Sequence, residues 1–379
     1  MSILPLQPDP SITTAISTNT SGLHSHQHDL KQLLCNLRQT HTHTSRTLTP
    51  HNLFLGVGSD EAIDALLRCF CRPGHDAILT CPPTYGMYSV SACVNDIAVL
   101  TVPLDPDNDF ALRTDAIVEK LSSVEGERIK LVYICSPGNP TATLVPKEQI
   151  QPILEHPSWN GVVVVDEAYI DFASAGPSAS MAEWVLEWPN LVVMQTFSKA
   201  FGLAGIRLGA AFASEEIAAL LNNLKAPYSI SSVTSQLGSQ ALQEEHLAVM
   251  RENVGKLLKQ RERMVKHLPQ TRGMGRFRGG FEANFLLVEV LSSPDGKGRP
   301  CNETALKVYE RLAENRGVVV RFRGKEYGCE GCLRITVGTE QEVDRFLQEL
   351  RSVLEEIYRD KQTNGVTEKQ EKEANDIIA

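Results

Sequence analysis

LVVMQTFSKAFGLAGIRLGAAFA, residues 191–213, decides how the rest of the chain is read. Four apolar residues, Leu191 to Met194, open it, and RLGAAFA closes it. Both runs have the composition of buried strands. Between them lies a glycine-rich segment carrying Ser198, Lys199 and Arg207. An ammonium where a buried strand stops costs desolvation energy unless something uses it.

Outward from this stretch, similar runs recur: DAILTCPP, IAVLTVPL, IKLVYICSP and GVVVVDEAY. Helical or loop segments separate most of them. Upstream, residues 52–70 read as a strand, a glycine turn and a helix with Ile63, Leu66, Leu67 and Phe70 on one face. Continuous apolar strands alternating with helices imply an α/β fold, its large, mostly parallel sheet covered on both faces. In such sheets functional groups sit at the C-terminal ends of strands. An amphipathic helix follows at 244–268, using Leu247, Met250, Val254, Leu257 and Leu258. Beyond it, ANFLLVEVL, a helix at 303–314, GVVVRF, CLRITVG and a last helix through Val343, Phe346, Leu347, Leu350 and Leu354 form a smaller α+β unit.

The expected domains are a divergent arm (1–50, with 1–28 as loop or disorder), a large domain (51–270), a small one (271–360) and a disordered tail (361–379). The chain has 379 residues, 42% of them hydrophobic, ample for two such domains. A net charge of −9 argues against a general nucleic-acid binder. No window approaches a membrane span, and the start lacks the basic and apolar regions of a signal peptide. Nine cysteines without a disulfide-like spacing fit a reduced, cytoplasmic protein. The Cys329–Cys332 pair lacks the second pair that a zinc site needs. The histidines at 24, 26, 28, 41 and 43 lack carboxylate or cysteine companions, so no metal is expected.

The chemistry-bearing residues lie where the strands stop. Gly58, Ser59 and Asp60 open a helix whose free amides suit a phosphate, although capping alone explains Asp60 and Glu61. Tyr85 and Tyr88 follow a strand end, where an aromatic can stack on a planar ligand, and Asn139 sits in a Gly-Asn-Pro turn. Asp166 and Tyr169 end VVVVDEAY; a buried carboxylate there wants a cationic partner. An ATPase acidic motif is rejected, because no Gly-Lys pair is followed by Ser or Thr. A lysine in an apolar setting is a neutral nucleophile toward an aldehyde. With an aspartate, an aromatic and a phosphate cup, it describes a pyridoxal 5'-phosphate site.

GSDEAIDALLRCFC, CPPTYGMYSVSA, CSPGNPT, VVDEAYIDF, TFSKAFGLAGIRLG and GCLRITVGT closely resemble the histidinol-phosphate aminotransferase family of fold-type I pyridoxal-phosphate enzymes, from about His51 to Tyr358. The resemblance implies a homodimer that interconverts histidinol phosphate plus 2-oxoglutarate and imidazole acetol phosphate plus glutamate, in histidine biosynthesis. It makes Lys199 the Schiff-base lysine and proton shuttle, and Asp166 the partner of the ring nitrogen. Tyr169 and Asn139 would meet the ring hydroxyl, and Tyr85 would stack. Ser59, Asp60, Ser198 and Arg207 would hold the phosphate. Arg334 and Arg321 would clamp the substrate phosphate, Tyr228 would reach the neighbouring subunit's site, and Asn284 would lie near the substrate.

The resemblance fails in the arm. GLHSHQHDLKQLL stands where the family has an Arg-Tyr-Pro segment, Ala142 replaces a usual glycine, and Val233 stands where proline is common. Alternatives at this stage are an aromatic-amino-acid aminotransferase, a threonine-phosphate decarboxylase, or a catalytically impaired truncated product.

Overall fold

The computed structural model describes the backbone of residues 20–378 and the side chains of 27–360. Its main layer is a seven-stranded sheet. The strands are β1 (Leu53–Val57), β2 (Ala77–Thr80), β3 (Ala98–Thr101), β4 (Ile129–Cys135), β5 (Val162–Asp166), β6 (Leu191–Thr196) and β7 (Leu208–Phe212), ordered β1-β7-β6-β5-β4-β2-β3. The pairs from β3 through β6 are parallel; β7 runs antiparallel to both β6 and β1.

Period-2 alternation explains why these strands are apolar throughout. On β5, Val163 and Val165 enter one core, while Val162 and Val164 enter the core on the opposite face. Leu131 and Tyr133 of β4 join the second of these, Val132 and Ile134 the first. Each face is covered, so no polar stripe remains to mark an outer side.

A second sheet contains β8 (Met274–Arg278), β9 (Phe285–Val290), β10 (Arg321–Phe322) and β11 (Cys332–Thr336), all antiparallel, in the order β10-β11-β9-β8. Its apolar side meets a separate core that includes Val308, Leu312, Phe346, Leu350 and Val353. The long helix Glu244–His267 contributes Val254 to the large core and Met264 to the small one. It therefore spans both units.

Two segments differ from the composition-based reading. Residues 1–19 lie outside the described residues, but Thr20–Arg38 is a helix (α1), not a loop. Leu30, Leu34 and Cys35 are buried in the large core, a helical face that the neighbouring histidines and polar residues obscure. Arg38 at its end is buried; Nη1 and Nη2 donate to Asp171 at 2.8 and 3.1 Å, and Nε donates to Gln195 at 2.7 Å. The final helix, Glu340–Ile378, continues through the charged tail. Glu, Lys, Gln and Ala are frequent there and favour helix by propensity alone.

Candidate active site

Four strand ends converge on one cavity of about 160 Å³. The turn after β4 supplies Asn139, β5 ends in Asp166, and β6 leads through Thr196 into Ser198 and Lys199. The helix Gly58–Phe70 (α2) starts at the wall with Ser59 and Asp60, and Arg207 closes the far side. Tyr85 and Tyr169 complete the lining. Asp166 and Tyr169 are buried, Tyr85 is half-buried, and Lys199 and Arg207 are exposed at the rim.

Local backbone geometry fixes the Arg207 side. Arg207 adopts φ 50°, a left-handed conformation uncommon outside glycine, and its carbonyl accepts from the Gly58 amide at 2.9 Å. Gly58 itself has φ +70°, and a Cβ there would meet Arg207 Nη2 at 2.7 Å. A Cβ on Gly209 would run into the Gly58 backbone and the Ser59 amide. Arg207 thereby sits against the first amides of α2, where the helix dipole already favours an anion. Its nearest counter-charge is distant for a hydrogen bond: Asp60 Oδ2 at 3.4 Å.

The Asp166 carboxylate accepts from Tyr88 Oη at 2.6 Å and from the Ala168 amide at 3.1 Å, and forms no ion pair among the described residues. Burial pushes its pKa up to about 6, opposed chiefly by the Tyr88 hydrogen bond. Lys199 Nζ lies 5.5 Å from the centroid of the Tyr169 ring. Partial burial and the charge of Arg334 lower its pKa, while Asp166 and Asp60 act in the opposite sense. Tyr169 is raised to about 12 by burial, so its hydroxyl stays protonated. The set offers a nucleophilic amine, a buried acceptor without a cation, and an anion cup. It fits a phosphorylated, ring-nitrogen-bearing aldehyde.

An adjoining hollow of about 390 Å³ shares Tyr85, Asn139, Tyr169 and Lys199 and adds Arg323 and Arg334. Arg334 donates from Nη1 to Asn139 Oδ1 at 2.5 Å and lies 4.9 Å over the Phe285 ring. Its Nε is buried without a partner. Arg321 stands directly across the ladder from Arg334, hence on the same sheet face, but is exposed on the edge strand β10. Arg323, two residues on, lines the hollow and donates to Glu326 at 2.6 Å.

The structure therefore gathers Ser59, Asp60, Tyr85, Asn139, Asp166, Tyr169, Ser198, Lys199 and Arg207 around one cavity, with Arg334 at its mouth. Asn284 and Tyr228 line neither space. Asn284 uses its carbonyl to accept from Val337, and Tyr228 is 74% exposed with φ 59°. Sequence reasoning missed Arg323 as a site neighbour and read Tyr88 only as a candidate stacking aromatic beside Tyr85. Tyr88 was visible three residues after Tyr85, one helical turn on, but nothing local reveals that its hydroxyl meets Asp166. Among the described residues, no cluster of histidine, cysteine or carboxylate is placed to hold a metal, and no helix is long and apolar enough to cross a membrane.

The chain is 50% identical over 335 residues to the histidinol-phosphate aminotransferase of Schizosaccharomyces pombe, covering 88% of this chain and 85% of that one. To the Saccharomyces cerevisiae protein of the same name it is 44% identical, over 82% and 77% of the two chains. Among solved structures, the Sinorhizobium meliloti histidinol-phosphate aminotransferase in complex with pyridoxal-5'-phosphate superposes with a TM-score of 0.73 at 23% identity, over 92% of this chain and 88% of that one. A family model for aminotransferase class I and II matches residues 6–350, and the chain belongs to that family.

Proposed function

We propose that the chain is a pyridoxal-phosphate-dependent aminotransferase of histidine biosynthesis. It moves the amino group of histidinol phosphate to 2-oxoglutarate, giving imidazole acetol phosphate and glutamate, reversibly. The observation that carries this reading is the shared cavity of Lys199, Asp166 and Arg207, in a chain half identical to an enzyme of that name.

When bound, the cofactor supplies an aldehyde for condensation with amines and a ring that withdraws electrons. The chain's own residues do the rest. Arg207, with Ser59, Ser198 and the first amides of α2, would hold the cofactor phosphate; a guanidinium can grip a phosphate with two donors, which makes lysine a poor substitute. Asp166 would pair with the ring nitrogen and favour its protonated form. Tyr85 would pack on the ring, and Tyr169 and Asn139 would meet its hydroxyl. Lys199 Nζ, whose pKa burial and the charge of Arg334 lower, would condense with the aldehyde and carry a proton.

Arg334 takes the substrate's anionic end, and Arg321 joins it from across the ladder. The two functional lobes are 51–270 and 271–360, with the substrate between them. The enzyme works in the cytoplasm as a homodimer. Exposed Val57, Tyr228, Val233 and Leu237 support the second part of that reading, with Tyr228 directed to the neighbouring subunit.

The test is spectroscopic. The purified chain with pyridoxal phosphate should show the visible band of lysine-bound cofactor, and histidinol phosphate alone should bleach it. A band indifferent to histidinol phosphate but bleached by phenylalanine would replace the substrate assignment.

A further inference from the structure

Tyr88 is fully buried in the helix Met87–Val94 (α3), with its ring among apolar side chains. Its ring stacks on Tyr133 at 4.7 Å and 19°, and meets Tyr85 edge-on at 5.6 Å and 82°. These contacts deny the ring freedom to swing. Its hydroxyl, which would be costly to bury without a partner, donates to Asp166 Oδ2 at 2.6 Å. The Ala168 amide occupies the other carboxylate oxygen.

We propose that Tyr88 is a positioning residue for transamination: through its hydroxyl it keeps Asp166 ionised and fixes the direction in which the carboxylate faces the cofactor ring. This rests on the reading of Asp166 as the partner of the ring nitrogen. A donor that cannot itself ionise is the appropriate device. Burial and the adjacent Asp166 carboxylate push the Tyr88 hydroxyl well above its ordinary range, so it remains a donor. A hydrogen bond to a carboxylate favours the charged form, against the burial that disfavours it.

Other groups also face Asp166. Asp60 at the start of α2 raises its pKa, and Lys199 after β6 lowers it. Tyr85, Cys135 of β4, Tyr133 and Tyr169 feel its charge and remain neutral, each with its own pKa raised. None of these is hydrogen-bonded to the Asp166 carboxylate; among the described side chains, Tyr88 is.

The test uses the cofactor-free chain as well as the loaded one. With carboxyl-labelled aspartate, and Asp166→Asn to assign the signal, the wild-type carboxyl should titrate near pH 6. Tyr88→Phe should move that midpoint up by about one unit, the scale of one hydrogen bond to a charged group. The pH below which pyridoxal phosphate binding weakens should move with it. A purely structural role would lower thermal stability and leave both midpoints in place, and that result would overturn the proposal.

If Tyr88→Phe does not fold, ζ-carbon-labelled tyrosine in the unmodified chain gives the answer. One tyrosine signal should step at the Asp166 midpoint, and the absence of such a step would refute the contact. Should Asp166→Asn leave cofactor affinity and turnover unchanged, the assignment of Asp166 fails instead, independently of Tyr88.

Discussion

The Arg207 cup and the Arg334 edge turn guanidinium groups toward adjoining spaces, yet they are built in opposite ways. Arg207 is held by backbone: a left-handed φ, two glycines that leave no room for a Cβ, and the first amides of a helix. Arg334 is held by side chains, Asn139 and the face of Phe285, and its neighbours Arg321 and Arg323 lie at a sheet edge. The first arrangement tolerates no change of residue and suits a ligand that stays. The second presents adaptable charges and suits a ligand that comes and goes.

The strongest way to break this contrast is to truncate each arginine and ask which ligand suffers. Arg207→Ala should weaken pyridoxal phosphate by about 10- to 100-fold, the loss of a charge-assisted contact of about 1.5–3 kcal/mol. Arg334→Ala should raise the KM for histidinol phosphate by a similar factor and leave cofactor affinity within about threefold. Equal effects of both variants on both ligands would dissolve the distinction.

A smaller effect sharpens the second region. Arg323 is nearer the hollow, but its Nη1 is already committed to Glu326, with both side chains about a quarter exposed. Arg321 has no ion pair among the described residues and can follow an incoming phosphate. Arg321→Ala should therefore cost roughly tenfold in kcat/KM for histidinol phosphate, and Arg323→Ala roughly threefold or less. The reverse order would transfer the second clamp to Arg323.

The smallest effect sits at the joint between the regions. The turn carrying Asn139 continues to Ala142, whose carbonyl accepts from Glu282 while Gly280 donates to Thr141. Ala142 has φ 54°, buried. Ala142→Gly relieves about 1–2 kcal/mol of left-handed strain. It also loses a buried methyl worth about 0.8 kcal/mol and adds about 0.5–1 kcal/mol of backbone entropy cost. Urea unfolding should shift by less than about 1 kcal/mol, and a larger shift would mean that the joint is under strain from elsewhere.

This contrast also explains what could be read from residues alone. The Arg207 side is encoded locally, in glycines and a helix start within two short stretches, and its motif stands out. So do Lys199 and Asp166, which end continuous apolar strands. Arg323 is set apart from Arg321 only by where the chain bends after β10. The Tyr88–Asp166 contact joins residues 78 apart across the sheet. The helix α1 was hidden because its stripe of Leu30, Leu34 and Cys35 runs among polar residues, and its anchor, Arg38, pairs with Asp171 far along the chain. Local spacing reports elements and strand ends; it does not report which buried polar groups meet.

The central claim is that Lys199 is the amine that takes the cofactor. It is tested most directly by incubating the chain with pyridoxal phosphate, reducing with borohydride, and mapping the modified peptide. The account predicts one stable pyridoxyl adduct, on Lys199, and in Lys199→Ala no adduct with turnover lower by about 10³-fold or more. An adduct on a different lysine, or full turnover without Lys199, would contradict it.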